Sequence, residues 1–198
     1  MIREGECVSF VSVVATEGFV TVMSDGRVSG LDILVEDYQK FVLSTDKNFF
    51  IAYAGDRTLC EIVANKILES YNVKMPFDTI KEQMIGYAQR NFDDQTNIML
   101  SFGGVNYNGQ IEVIGCDLKT KECLYYRPVG DKISYLFHSN LPPSMKEEMG
   151  DRFVETLRET GTDSPTSIIQ AQKLLNNHVS TIDDSVNRKT FRACIKRE

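Results

Sequence analysis

The sequence predicts an α+β fold, a four-layer αββα sandwich in which two antiparallel β-sheets pack face to face between two helix pairs. The patterns along the chain run in the order strands, two helices, strands, two helices and one final strand. Such segregated runs are typical of α+β proteins, whereas alternating strands and helices indicate a parallel sheet. Residues 49–54, FFIAYA, are apolar on both strand faces. A second sheet is therefore expected to cover the face that the helices leave open.

Strand-like segments fill the first part of each half of the chain. Most of them alternate or run apolar on both sides of a short polar turn, which is the pattern of a β-hairpin. The predicted strand segments are residues 7–26 with a turn at 17–18, residues 38–55 with a turn at 46–48, residues 97–118 with a turn at 108–109, and the single runs 122–129, 132–139 and 190–196.

Helical spacing of apolar residues follows each group of strands. Prolines precede three of the four segments. Proline is common at the start of a helix because the first N–H groups have no hydrogen-bond partner within the helix. The first two helices are joined by a short loop at residues 74–76, so they are expected to lie antiparallel. The predicted helices cover residues 59–71, 77–88, 145–157 and 168–179.

Length and charge limit the classes of partner. The chain has 198 residues, which fits one domain over 1–198. A net charge of −6 gives a nucleic-acid backbone no general reason to bind. No apolar run approaches the ~20 residues that span a bilayer, so no membrane contact is expected. The opening segment MIREGECVSFVSVV places acids before its apolar stretch, unlike a secretion signal, and this predicts a cytoplasmic protein.

The cysteines and histidines show no metal or redox pattern. The two histidines leave little scope for a histidine metal site, and neither G-x-S-x-G nor H-E-x-x-H occurs. We therefore expect no metal and no cofactor. The cysteines are odd in number and form no C-x-x-C pair, which favours reduced thiols. They are Cys7, Cys60, Cys116, Cys123 and Cys194.

The stretch SFVSVVATEGFVTVMSDGRVSG, then Lys40, then FIAYAGDRTLCEIVANKIL resembles the opening half of proteasome β-type subunits and their bacterial relatives. These proteins share the N-terminal-nucleophile (Ntn) hydrolase fold, which is the same four-layer sandwich. Aligning Asp25 with the family aspartate without gaps places Ser9 at the nucleophile position. The motif similarity covers about the first third of the chain, and the order of elements matches over nearly all of it.

The resemblance implies a role for each matching residue. In this family the free α-amino group of the nucleophile, here Ser9, is the general base. Lys40 would lower the pKa of that amine, and Asp25 would hold Lys40 in a buried ion pair. The N–H of Gly55 would stabilise the oxyanion. The same resemblance implies substrate-binding roles for Arg27, Ser29 and Ser139.

Three segments depart from the family pattern. Glu6-Cys7-Val8 precedes Ser9, where active relatives have a glycine or only an initiator methionine. While residues 1–8 are attached, the Ser9 nitrogen is an amide, which is no base. His138-Ser139-Asn140 replaces a Gly-Ser-Gly-like segment, and IDDSVN at residues 182–187 replaces an Asp-x-x-Ser-Gly-Gly-like one. These departures predict a chain without turnover in its unprocessed form.

Three functions stay open at this point. The favoured one is a proteasome-like subunit without turnover that forms a homo-oligomer or binds peptide. The second is a self-processing amide hydrolase with Ser9, or Cys7, as its N-terminal nucleophile. The third is a regulatory module that binds a small molecule in the cleft between the sheets. Residue type alone also allows a plain turn at Asp25-Gly26 and a solvated Lys40.

Overall fold

The computed structural model of the chain describes residues 9–29, 34–92 and 96–197. These residues form eleven strands and four helices. In chain order the elements are β1 (Val11–Ala15), β2 (Phe19–Asp25), β3 (Val28–Ser29), β4 (Leu34–Val35), β5 (Phe41–Leu43), β6 (Phe49–Gly55), α1 (Arg57–Ser70), α2 (Phe77–Asn91), β7 (Ile98–Val105), β8 (Ile111–Asp117), β9 (Glu122–Tyr126), β10 (Ser134–His138), α3 (Pro143–Thr160), α4 (Pro165–Ile182) and β11 (Thr190–Lys196).

Two main sheets carry the fold. One has five strands in the order β5-β6-β7-β8-β9, and the other has four in the order β10-β1-β2-β11. Neighbouring strands are antiparallel throughout both sheets. The predicted hairpins are present as β1-β2, β5-β6 and β7-β8. The short strands β3 and β4 pair only with each other.

Three apolar cores separate four layers. Phe49 and Ile51 of β6 pack with α1 and α2, whereas Phe50 and Ala52 pack between the two sheets. This division follows from the strand period of two, which sends successive side chains to opposite faces. A third core around Phe153 joins β1 and β10 to α3 and α4. The predicted αββα sandwich is confirmed, and it explains why residues 49–54 are apolar on both faces.

The helices begin where the sequence supplies capping groups. The Asp56 carboxylate accepts a hydrogen bond of 2.9 Å from the Leu59 N–H at the start of α1. Ser164 does the same for the Ser167 N–H at the start of α4, and Pro165 occupies the first helical position. Each cap satisfies one of the backbone donors that a helix leaves unpaired at its N-terminus. Among the described helices, none has an apolar run long enough to cross a membrane.

The expectation that all cysteines are reduced thiols is wrong for one pair. Cys116 in β8 and Cys123 in β9 lie directly opposite each other with Cα atoms 4.2 Å apart, and they form a disulfide. The hairpin register brings these two thiols together, and no sequence motif marks that register. Cys60 is buried and Cys194 is exposed. Cys7 lies outside the described residues.

Candidate functional site

The candidate site is built around a buried ion pair at the end of β2. Asp25 is the last residue of β2 and is fully buried, and Lys40, directly before β5, is 2% exposed. The Lys40 Nζ forms an ion pair with Asp25 Oδ1, and the Lys40 N–H donates to Ser24 Oγ at 3.2 Å. The resemblance to proteasome β-type subunits implies this ion pair, and it is present. It explains why an apolar strand ends in an acid, because each buried charge needs a partner.

Ser9 lies next to this ion pair. The Phe10 N–H, which belongs to the Ser9–Phe10 peptide bond, donates to Asp25 Oδ1 at 2.8 Å. In return, the Asp25 N–H donates to the Phe10 carbonyl at 3.0 Å. The same carboxylate oxygen therefore binds both the Lys40 ammonium and the backbone directly after Ser9. Ser9 itself is buried. The contacts support the predicted neighbourhood of Ser9, Asp25 and Lys40, and their catalytic roles stay a prediction.

Gly55 ends β6 on the same side of the sandwich. Tyr53 donates its N–H to the Lys40 carbonyl at 3.0 Å, so Gly55 lies two residues beyond the point where β6 meets Lys40. Its φ is +119°, a conformation that side chains rarely adopt. A Cβ at Gly55 would lie 2.0 Å from the Asn97 carbonyl oxygen. Only glycine fits here, directly before the Asp56 cap where the positive end of the α1 dipole begins.

A polar clamp holds the corner that follows Asp25. The Gly26 N–H donates to Asn187 Oδ1 at 2.9 Å, and the Asn187 amide donates to Glu36 at 2.6 Å. Arg27 forms an ion pair with Glu36 at 2.9 Å and donates to the Asp184 carbonyl. The segment 182–187, which departs from the family pattern, therefore supplies contacts at the candidate site. No sequence signal identifies Asn187, because it lies 161 positions from Gly26 and 151 from Glu36.

The predicted substrate-binding residues lie in three different settings. The guanidinium of Arg27 is engaged by the clamp, so binding a substrate there would break those contacts. Ser29 lies in β3, opposite Leu34, and its side chain is outside the described residues. Ser139 is buried, with no hydrogen-bond partner for its Oγ among the described residues. Val11 pairs with His138 in the antiparallel β1-β10 pair. Ser139, the next residue after His138, therefore lies beside the segment between Ser9 and Val11.

His138 precedes Ser139 and is buried at the end of β10. Burial, with a smaller effect of the nearby Lys146 charge, lowers the pKa of its imidazole to about 4. The ring is therefore neutral at pH 7. Its Nε2 has no hydrogen-bond partner among the residues that the structure describes.

A network of polar side chains beside Lys40 and Gly55 is not predicted from the sequence. The Tyr38 and Tyr53 hydroxyls are 2.9 Å apart, and Tyr38 also donates to Glu61. The Arg57 guanidinium lies 4.4 Å from the Tyr38 ring centroid and 3.0 Å from Glu61. Burial and these hydrogen bonds raise the pKa of the Tyr38 phenol far above its usual range, so it stays protonated. The network connects the segment before Lys40 to β6 and α1.

No family model and no curated protein matches the sequence of this chain. Solved structures do match its fold. Anbu (ancestral β-subunit) from Yersinia bercovieri aligns with a TM-score of 0.72 at 11% identity, covering 94% of this chain and 81% of that one. Anbu from Pseudomonas aeruginosa, solved as a helical assembly, gives 0.70 at 14%, covering 96% and 82%. Eukaryotic HslV from Trypanosoma brucei gives 0.59 at 16%, covering 94% and 99%.

The chain has the fold of proteasome β-type subunits. At 16% identity or less, the likeness shows the fold and leaves activity open. In this proteasome-like fold, Ser9 lies just before the first strand of one sheet, the Asp25–Lys40 ion pair lies beside it, and Gly55 ends a strand of the other sheet. These positions can support amide chemistry only if a base is available to the Ser9 hydroxyl.

Proposed function

We propose that this chain is a proteasome-like subunit that assembles with copies of itself and binds peptide, without turnover while residues 1–8 precede Ser9. One observation carries the proposal: the Ser9 nitrogen is part of a peptide bond to Val8. An amide nitrogen has its lone pair delocalised into the carbonyl and cannot take the hydroxyl proton. The intact Asp25–Lys40 ion pair then supports the fold of the site and not a reaction.

Two described groups near Ser9, the His138 imidazole and the Asp25 carboxylate, do not replace the missing base. His138 has a pKa of about 4 because it is buried, so it is a weak proton acceptor at neutral pH. The Asp25 carboxylate is already bound by Lys40 and by the N–H groups of Phe10 and Arg27. A general base works best when its pKa lies near the working pH and when its lone pair faces the hydroxyl.

Assembly is supported by the structural neighbours. Anbu from Pseudomonas aeruginosa was solved as a helical assembly, and its fold matches most of this chain. Peptide binding is proposed because both sheets have edge strands, β10 and β11 in one sheet and β5, directly after Lys40, and β9 in the other. Extended peptides bind many proteins by pairing with an exposed strand edge.

A second function is favoured by the intact geometry of the ion pair. If residues 1–8 were removed, the Ser9 α-amine would lie one residue from the Phe10 N–H that binds Asp25. That amine could then take the hydroxyl proton while Ser9 Oγ bonds to the scissile carbonyl carbon, with the oxyanion held by the Gly55 N–H. The C–N bond would break with proton transfer to the leaving amine, and water would hydrolyse the acyl-enzyme. If the chain were instead shortened to begin at Cys7, the same route would use the Cys7 thiol as the nucleophile.

Three measurements on the intact chain test the proposal. Light scattering should give several times the mass of one chain. Fluorescence anisotropy should show binding of labelled peptides, and fluorogenic peptide amides should give no product. Ser9→Ala is the control, and it should change neither binding nor the absence of product. A monomer that binds no peptide would overturn the proposal, and cleavage that Ser9→Ala abolishes would establish the hydrolase instead.

A further inference from the structure

A pocket of about 200 Å³ lies between the two sheets, next to the candidate site. We call it the inter-sheet pocket. It is lined by β7, β8 and β9 on one side and by β10 on the other, and it is partly open to solvent. The residues that carry the argument are Met99, Gly115, Asp117, Glu122, Leu136 and His138.

Strand alternation sends these side chains into the space between the sheets. Asp117 pairs with Glu122, and Gly115 pairs with Leu124, so all four positions share one face of β8 and β9. Leu136 packs in the core between the sheets, and His138, two residues further along β10, faces the same way. The pocket therefore has aliphatic walls and polar groups at the end of the strands.

Gly115 and Leu136 form adjoining parts of the pocket wall. A Cβ added there would lie 3.1 Å from a Leu136 methyl carbon, closer than ordinary van der Waals contact. Any larger side chain at this position would push against Leu136 and fill the space between the strands. Without a side chain at Gly115, Leu136 packs directly against β8, and the pocket lies beside this contact.

Two carboxylates face each other at the end of the pocket. Asp117 and Glu122 are directly opposite in the β8-β9 pair, where side chains of like charge repel and destabilise the sheet. Asp117 Oδ1 is occupied by the N–H groups of Lys119 at 2.9 Å and Thr120 at 3.2 Å. Its Oδ2 has no hydrogen bond within the described part of the chain. A cation bound between the two carboxylates would relieve their repulsion.

His138 supplies a second, independent polar group. It is 6% exposed, it lines the pocket, and its Nε2 has no hydrogen-bond partner among the described residues. A buried polar atom without a partner costs free energy, and a ligand that bonds to it recovers that cost. Because the imidazole is neutral at pH 7, it can accept a hydrogen bond from a cation without repelling it.

The pocket lies beside the proposed position of the peptide. His138 pairs with Val11, two residues after Ser9, and Met99 pairs with Ala54, directly before Gly55. A peptide bound near Ser9 and Gly55 would therefore pass the opening of the inter-sheet pocket. The proposed position of the peptide and the pocket therefore lie at the same end of the β1-β10 and β6-β7 strand pairs.

We propose that the inter-sheet pocket binds a long aliphatic side chain that ends in a cation, as in a lysine of a bound peptide. The aliphatic part would pack against Met99 and Leu136, and the ammonium would bind the Asp117 and Glu122 carboxylates. A bare cation would leave the apolar part of the pocket unfilled, and an apolar chain would leave the carboxylates and His138 unpaired. The peptide part of this inference rests on the proposed function, and the binding of an alkylammonium group does not.

Two matched pairs of probes test the inference on the full chain. The first pair is two labelled seven-residue alanine peptides with lysine or norleucine at the centre, compared by fluorescence anisotropy. The second pair is n-hexylammonium and 1-hexanol, compared by ligand-observed NMR. The variant is Asp117→Asn with Glu122→Gln, because an asparagine side chain keeps the Oδ1 acceptor of the turn. The control is Asp151→Asn with Glu155→Gln, which removes the same charges from an exposed face of α3.

We expect the lysine peptide to bind at least 10-fold more tightly than the norleucine peptide, and hexylammonium to bind more tightly than hexanol. The Asp117/Glu122 variant should remove both preferences, and the Asp151/Glu155 control should keep them. Equal binding of both peptides and of both small probes would overturn the pocket assignment and leave peptide binding intact. Binding of hexylammonium with no binding of either peptide would support the pocket and reject the proposed function. Equal losses in variant and control would overturn the assignment.

Discussion

Removing one partner of the Asp25–Lys40 ion pair should destabilise the whole domain. Lys40→Met leaves the Asp25 carboxylate buried with two donors among the described residues, the N–H groups of Phe10 and Arg27, each at 2.8 Å. Asp25→Asn keeps an acceptor for the Phe10 N–H but removes the carboxylate charge that forms the ion pair with the buried Lys40 ammonium. Breaking a buried pair from one side costs about 3–5 kcal/mol, most of it from the uncompensated charge.

The double variant separates this cost from a loss of packing. With Asp25→Asn and Lys40→Met together, neither charge of the pair is left in the interior, so the free energy of unfolding should lie within about 2 kcal/mol of the wild-type value. The double variant should then be more stable than either single variant. Lys66→Met is the control, because Lys66 and Glu69 form an exposed ion pair with side chains 64% and 69% exposed. Its cost should be under about 1 kcal/mol.

The assay is urea unfolding at pH 7, monitored by far-UV circular dichroism. The data are fitted with one m value, the dependence of the unfolding free energy on urea concentration, for all variants. A Lys40→Met cost as small as that of Lys66→Met would refute the burial argument. Additive costs in the double variant would refute the claim that the two charges are coupled.

Three further predictions concern single residues. The His138 pKa of about 4 lies below its unfolded value of 6.5, so unfolded chains bind the proton first as the pH falls. The free energy of unfolding should therefore drop by about 3 kcal/mol between pH 7 and pH 4 because of this residue. Urea unfolding across that range should show a shallower pH dependence for His138→Gln, and parallel curves would contradict the assignment. Gly55→Ala should cost more than about 2 kcal/mol, because φ is +119° and the Cβ clashes with backbone. Gly18→Ala has open space around its Cβ and should be nearly neutral. Urea unfolding measures both variants, and an equal loss of stability in the two would contradict the backbone clash at Gly55. Asp56→Ala should cost about 1 kcal/mol through loss of the α1 cap, as measured by urea unfolding, and no change would mean that the cap is dispensable.

The layers could be predicted from the sequence because they depend on local periodicity. The unbroken apolar run of residues 49–54 indicates a strand buried on both faces, and the spacing after Pro165 indicates a helix. The Asp25–Lys40 ion pair could be predicted only through the resemblance to proteasome subunits. Neither residue has a local signal that identifies the other, which lies 15 positions away.

The parts of the site that were not predicted depend on contacts between distant segments. The Cys116–Cys123 disulfide requires the register of β8 against β9. The clamp by Asn187 and the network around Tyr38 join elements that no sequence pattern places together. Local propensity determines which elements form, and the packing of the layers determines which polar side chains meet at their ends.

Whether the Ser9 nitrogen stays an amide is decided by the intact mass of the purified chain, taken before and after incubation with a peptide amide and combined with product analysis. We expect residues 1–8 to stay attached and no product to form. A chain shortened to begin at Ser9, with product appearing as the shortened form accumulates, would contradict the proposed absence of turnover.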